Sequence, residues 1–322
     1  MTHAAGIRLD AIACGAAAVD LVIRVPRLPA YDEKVVGALV GRLPGGTMAN
    51  FACALARLGG RAAWMGTVGA DPDGALLMQD FRRFGVDTRH VQVVRHQQTN
   101  FTVILLGRSA ERAIVVVPSL RERLPPKRPL RQYLSTARFV YLSPHDLALA
   151  HRVATEAAAA GCRLALEVEP TAALTPARGS VLLPRTHLAV FNRGGLASFW
   201  GMNGVPRAGH AVRAARRVLE LGPQVVAVTL GRHGAILADS TRVVVHPGFR
   251  VRAVDTTGAG DCFSAALVLG LCRGWPLEQI AAYANAAAAL STTGLGPRGH
   301  LPRHREVVRF LRSHGCSWGE YR

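Results

Sequence analysis

The stretch "VDTTGAGDCFSAALVLGL", Val254 to Leu271, places Gly258, Ala259 and Gly260 between a polar pair and Asp261, and an apolar helical pattern follows at once. A helix that begins on nearly bare backbone leaves its first N–H groups unpaired, and its positive end suits an anion. A carboxylate beside such an anion is well placed to accept the proton of an attacking hydroxyl, as phosphoryl transfer requires. The same residues also fit an ordinary capped helix, with Thr257 or Asp255 as cap and Asp261 complementing the dipole. This stretch alone does not separate the two readings.

Working outward, the 322 residues, 49% hydrophobic and 19% charged, can bury a large core and suit one big α/β domain with a small appendage. No stretch has the uncharged apolar length of a membrane span, and Arg8, Asp10 and Asp20 interrupt the region where a secretory signal would lie. A cytoplasmic protein is expected. The six cysteines are far apart and form no CxxC pair, so they are expected to be reduced core residues rather than disulfides or zinc ligands. The net charge of +18 raises the question of a polyanion. Lys34 and Lys127 are the only lysines among 39 basic residues, the arginines spread along the whole chain, and aromatics make up only 6%. That favours a solvated basic surface over a dedicated nucleic-acid site.

Apolar segments alternate with helical ones as in stacked β-α units. "DPDGALLMQDFRRFG" is a helix opened by Asp71 with proline at its first position, and "CRLALEVE", "HLAVFN" and "QVVAVTLG" are buried strands. Between Val91 and Pro118 the pattern turns short and β-rich with no helical period, which predicts strands outside the main sheet. The expected architecture is a single domain over 1–322, with a β lid from about 20–43 and 91–118. A second glycine turn, in "LPGGTMANFACALARLGG", puts Gly45 and Gly46 before a helix that carries Asn50 on its first turns, a side chain able to donate to and accept from a polyol. One turn fit for an anion and another fit for hydroxyls suggest a donor site and an acceptor site.

Over nearly its full length the chain resembles the ribokinase-like, or PfkB, family of carbohydrate kinases, through "GGTMANFACALARLG" with "GTVGADPDG" behind it and "DTTGAGDCFSAALVLGL" near the end. The resemblance implies a three-layer α/β/α sandwich with a mostly parallel central sheet and a small β-sheet lid. It implies ATP and Mg2+ as cofactors, a sugar acceptor, and a homodimer through the lid. It further implies Asp261 as catalytic base, Gly258, Ala259 and Gly260 as anion hole, and Asp20, Gly45, Gly46 and Asn50 as the sugar site. Asn192, Thr229, Gly231 and Asn285 match nucleotide-binding positions, and Asp255 matches the start of a loop that binds a monovalent cation in some members, which makes K+ activation an expectation. One departure stands out. Relatives carry an NxxE motif whose glutamate organises the magnesium–phosphate water network, and here "FNRGGLASFWG" keeps Asn192 but has Gly195 in place of the acid. Its loss is expected to weaken magnesium handling, so that activity is low or needs more metal, unless a neighbouring acid substitutes.

Two rivals follow. A nucleoside kinase on the same scaffold would use Phe101, Val103 and Leu105 of the lid against a base; these residues also suit lid core. A catalytically weak sugar or nucleotide sensor is prompted by Gly195. Other patterns carry less. "GLGPRG" (Gly294 to Gly299) fits GxGxxG but follows a helix, so the dinucleotide reading fails on context, and no GxxxxGK[ST] exists anywhere. His145 and His151 are six apart, on different helix faces, and are expected to be solvated, although His145 and Asp146 follow a strand's C-terminal end. Glu167 and Glu169 share one face at the end of a strand and are candidates for substrate or cation contact, or for a buried salt bridge.

Overall fold

The structure is a computed structural model that describes residues 8–107, 112–172, 174–316 and 318. Among them, eight strands form the main sheet. Six run parallel, in the order β4 (Ala62–Met65), β1 (Leu9–Cys14), β9 (Ala137–Leu142), β10 (Arg163–Val168), β11 (Thr186–Asn192) and β12 (Val225–Thr229). β13 (Ala235–Asp239) and β14 (Val243–His246) add antiparallel at the far edge. Both faces of this sheet are covered, which is why its strands are continuous apolar runs: Ile12, Val140, Leu166, Val190 and Val226 are all fully buried.

On one face lie α1 (Thr47–Arg57), α2 (Pro72–Phe84), α7 (Ala259–Arg273), α8 (Leu277–Ser291) and α9 (His304–Ser313), around Phe51, Trp64 and Phe81. On the other lie α3 (Lys127–Leu134), α4 (Leu147–Ala160), α5 (Arg193–Trp200) and α6 (Ala208–Leu219), around Phe191 and Phe199. This is the expected three-layer α/β/α sandwich. Local signals place the helices well: Asp71 caps α2 by accepting from the Gly74 amide, and Gly85 ends it in the left-handed conformation.

A separate four-stranded sheet has the order β3 (Ala38–Gly45), β2 (Ala18–Arg24), β7 (Phe101–Leu106), β8 (Arg112–Val117). Residues 108–111 of the expected lid span lie outside the described residues. The stretch at Val91 does not join this sheet. Gln92–Val94 forms β6, which pairs parallel with β5 (Thr67–Gly69), because the chain leaving α2 returns beside the free edge of that strand. Within the lid, Asp20 lies level with Thr102 and with Leu43, and since adjacent strands share faces at level positions, these three point the same way. Phe101, Val103 and Leu105 therefore point to the opposite face.

Candidate functional site

Parallel α/β sheets bind ligands beyond the C-terminal ends of their strands, and the small sheet leads into α1 through Gly45 and Gly46. Two of the helices that start in this region begin on glycine. α1 follows β3 directly, with Gly46 as N-cap, and α7 has Gly258 as N-cap; both are glycines, so no N-cap side chain accepts from the first turn of either helix. The N-cap of α7 is thus Gly258 rather than Thr257 or Asp255, with Asp261 in the first turn. The Asp255 carboxylate instead accepts from Thr257 N (2.9 Å), Thr257 Oγ1 (2.7 Å) and Gly296 N (2.9 Å), stapling one loop to another. Gly258 has φ 77°, and a Cβ there would lie 2.7 Å from Pro297 O, so glycine is required on both counts. Gly260 is exposed with open space on its Cβ side. The amides of Gly260 and Asp261 lie in the first turn, where an α-helix has no carbonyl of its own to receive them.

Asp261 stands on that turn and accepts a hydrogen bond from Asn50 Nδ2 at 2.7 Å, so the two glycine turns meet in one place. The Asn50 Oδ1 accepts from Arg298 Nε at 2.9 Å. Arg298 also donates to Gly45 O at 3.0 Å and pairs with the Asp80 carboxylate. Asp20 completes the cluster from β2 of the small sheet. It is buried, and a Cβ on Gly45 would lie 2.3 Å from its Oδ2. Only a residue without a side chain lets this turn pass that close.

Burial is the main cause that pushes Asp261 up to about 7; the charges of Glu169 and Asp20 push the same way, while the Asn50 bond and Arg298 oppose them. Asp261 is enclosed by protein yet keeps a solvent-facing edge. Burial also raises Asp20 to about 6, against a Thr102 hydrogen bond and Arg298, with Asp255 adding to the rise. Two carboxyls of one cluster are therefore poised near neutrality, where proton transfer is most effective.

The remaining sequence-predicted residues divide. Asn192 and Thr229 lie level on β11 and β12 at the sheet's C-terminal edge, and Gly231 follows two residues on, exposed and with φ 62°. Asn192 Oδ1 accepts from Gly195 N at 2.7 Å and so caps α5. Asn285 is buried in α8, its amide donating to Ala281 O of the same helix. Glu167 is buried, accepts from Ser264 Oγ at 2.9 Å on α7, and is held well above the carboxylate range by burial first and then by Asp261 and Glu169. Glu169 is partly exposed and lies 3.6 Å from His145, whose protonated form it favours. His145 was expected to be solvated; it is exposed, but it has this partner.

Gly195 has a steric reason. A Cβ there would lie 1.9 Å from Val168 O and 3.2 Å from Glu169 Cα, so α5 runs too close to the end of β10 for any side chain. The residue that follows β10, Glu169, is an acid whose Cα lies beside this glycine. No group of three or more His, Cys, Asp and Glu able to hold a metal exists among the described residues. A magnesium ion here would rely on phosphate oxygens and water, with Glu169 beside it. Arg298 and Asp80 were not found from the sequence, since "GLGPRG" carries no local sign that its arginine reaches α1.

Residues 9–303 match the pattern of the pfkB family carbohydrate kinases. Ribokinase of Bacillus subtilis is 28% identical over 302 residues, covering 92% of this chain and 97% of its own length. The ATP-dependent ribose-1-phosphate kinase of Halopiger xanaduensis is 30% identical over 292 residues, covering 91% and 94%. Among solved structures, Arabidopsis thaliana ribokinase complexed with ribose and ATP has a TM-score of 0.82 at 24% identity, covering 94% of this chain and 98% of its own. An E. coli chain in complex with ATP and Mg2+ has a TM-score of 0.77 at 21% identity, covering 95% and 100%. At these identities the structural likenesses establish the fold.

Proposed function

The chain belongs to the pfkB family of carbohydrate kinases, and on that premise we propose that it transfers the γ-phosphoryl group of ATP to a hydroxymethyl group of a sugar. The observation that carries this reading is the uncapped start of α7, whose open amides adjoin a carboxyl raised to about 7. Asp261 takes the proton of the acceptor hydroxyl as its oxygen bonds to the γ-phosphorus and the bond to the β–γ bridging oxygen breaks, releasing ADP. Gly258, Ala259 and Gly260 form the anion hole, their backbone facing the charge that grows on the transferred group. Magnesium, when bound with the nucleotide, supplies neutralisation of phosphate charge.

Asp20, Gly45, Gly46 and Asn50 hold the sugar, and Asn192, Thr229 and Gly231 line the nucleotide side; Asn285 supports that side from α8. Arg298 favours a neutral sugar over a sugar phosphate, because its fork is already spent on Asp80, Gly45 and Asn50 and offers no free charge to a second phosphate. The opposite orientation of Phe101, Val103 and Leu105 removes the aromatic stack that a nucleoside base would have used. Those residues instead give the lid an outer face that continues into exposed Leu39 and Val115, and a second copy of the chain is the partner this face suits. K+ activation through the loops joined by Asp255, and a working location in the cytoplasm, belong to the same reading.

The test is a thermal-shift screen of pentoses, hexoses, sugar phosphates and nucleosides in the presence of ATP analogue and Mg2+, followed by a coupled assay on the hits. A true acceptor stabilises the fold by mass action. Stabilisation by a nucleoside alone would redirect the reading to the nucleoside kinase, and binding without phosphate transfer at excess Mg2+ would redirect it to a sensor.

A further inference from the structure

Arg298 lies outside both glycine-turn motifs, yet each of its nitrogens has a partner. Nε meets Asn50 Oδ1, one terminal nitrogen meets Gly45 O, and the other pairs with Asp80. Its side chain is 6% exposed, and the guanidinium carbon sits 5.7 Å from the centre of the Phe81 ring. A guanidinium can only donate, and it does so as a rigid planar fork. The Asn50 carboxamide has one accepting end and one donating end. With Arg298 on one side, its oxygen must face the guanidinium, and its nitrogen is thereby aimed at Asp261. Reversed, the amide would present oxygen to the carboxylate and nitrogen to the guanidinium, which leaves two repulsive contacts in a low-dielectric site.

We propose that Arg298 is a positioning residue for the transfer reaction: it locks Asn50 in the orientation that aligns the Asp261 carboxylate, and it ties the acceptor turn at Gly45 to the same fork. Asp80 holds the guanidinium in place and balances its charge, so the pair can stay buried. The acceptor turn, the asparagine and the base then move as one rigid unit. The groups whose charges act on Asp261 are Glu169, Asp20 and Arg298, with Glu167 coupled to it from β10. Arg298 is the cation of that set.

This inference rests on Asp261 being the base. Lysine at 298 keeps the charge beside Asp80 but cannot span Asn50 and Gly45 together. Arg298→Lys is expected to lower kcat about 10- to 100-fold, the range expected when a hydrogen bond to a charged group is lost, with the KM for ATP within about twofold. In an Asn50→Ala background the same change is expected to add less than about twofold, because its route through Asn50 is gone. If Arg298→Lys proves insoluble, Arg298→Gln combined with Asp80→Asn removes both charges together and takes its place in the cycle. Coupling between the two sites, with a shifted acidic limb of the kcat profile, supports the proposal. Multiplying effects, or a lowered melting temperature with an unmoved limb, overturn it. Retained turnover in Asp261→Asn would instead remove the base itself, so the two failures are distinct.

Discussion

Replacing Asp261 by asparagine separates catalysis from stability in one variant. Asparagine keeps the acceptor for Asn50 Nδ2 but loses the charge and the proton-accepting role, so turnover is expected to fall by about 10²–10⁴, with ATP affinity nearly unchanged. Stability should move the other way. The folded carboxyl titrates near 7 against an ordinary 3.8. Between about pH 4 and pH 7 the folded state therefore binds more protons than the unfolded one, and this group's contribution to stability falls as pH rises. The penalty is absent well below pH 4 and complete above about 7. At about 1.4 kcal/mol per tenfold change in proton affinity, its ceiling is roughly 4 kcal/mol. Allowing for the solvent-facing edge, about 1–3 kcal/mol remains. Asparagine has no such charge to bury. Scanning fluorimetry at pH 8 should show a melting temperature higher by about 2–5 °C, and the gain should shrink by more than half at pH 5. Turnover within tenfold of the parent, or a gain equal at both pH values, would refute the assignment of a raised, catalytic carboxyl.

Three further outcomes follow from the same geometry. Gly195→Glu should not lower the magnesium requirement; with a Cβ 1.9 Å from Val168 O, it should cost about 2 kcal/mol or more, and a stable variant with reduced magnesium demand would contradict the placement of α5. Glu169→Gln should raise the Mg2+ concentration for half-maximal activity about fivefold, the equivalent of about 1 kcal/mol, and should weaken Mg2+-dependent ATP binding by titration calorimetry; unchanged binding would remove Glu169 from the phosphate side. Gly45→Ala, which drives a methyl into the Asp20 carboxyl, should raise the acceptor KM about tenfold or more while leaving the KM for ATP within twofold; a change in the ATP constant alone would place Gly45 elsewhere.

Much of this site is legible in the sequence because its decisive parts are local. Gly258 and Asp261 lie within one turn, and so do Gly46 and Asn50, so their relation is dictated by helix geometry. The long-range parts are not readable this way. Arg298 and Asn50 are far apart in the chain, and only the approach of the loop beyond α8 to α1 brings the guanidinium to the carboxamide. Strand alternation identifies two faces of β7 but not which one meets the cleft; that depends on the parallel pairing of β2 with β7, which sets Thr102 beside Asp20 and turns Phe101, Val103 and Leu105 away. The span around Val91 differs from the expected lid strand for a similar reason: a short extended segment carries no mark of its partner, and here the partner is β5.

The missing NxxE acid is best understood together with the carboxyls already present. Burial first, and then the charges of neighbouring acids, raise two of them: Asp261 and Glu169 act on Glu167, and Glu169 and Asp20 act on Asp261. Arriving phosphates would raise Asp261 further, which strengthens it as a base only as long as it can still lose its proton at working pH. A fourth acid at 195 would add to that repulsion, and the backbone of Val168 leaves it no room. On the proposed reading, Glu169, one residue past the carbonyl that closes Gly195, would supply an acid at the phosphate side while His145, 3.6 Å away, would offset it. The glycine and the glutamate are thus two halves of one arrangement. Restoring an acid at 195 while neutralising Glu169 should therefore fail on packing even though it conserves charge.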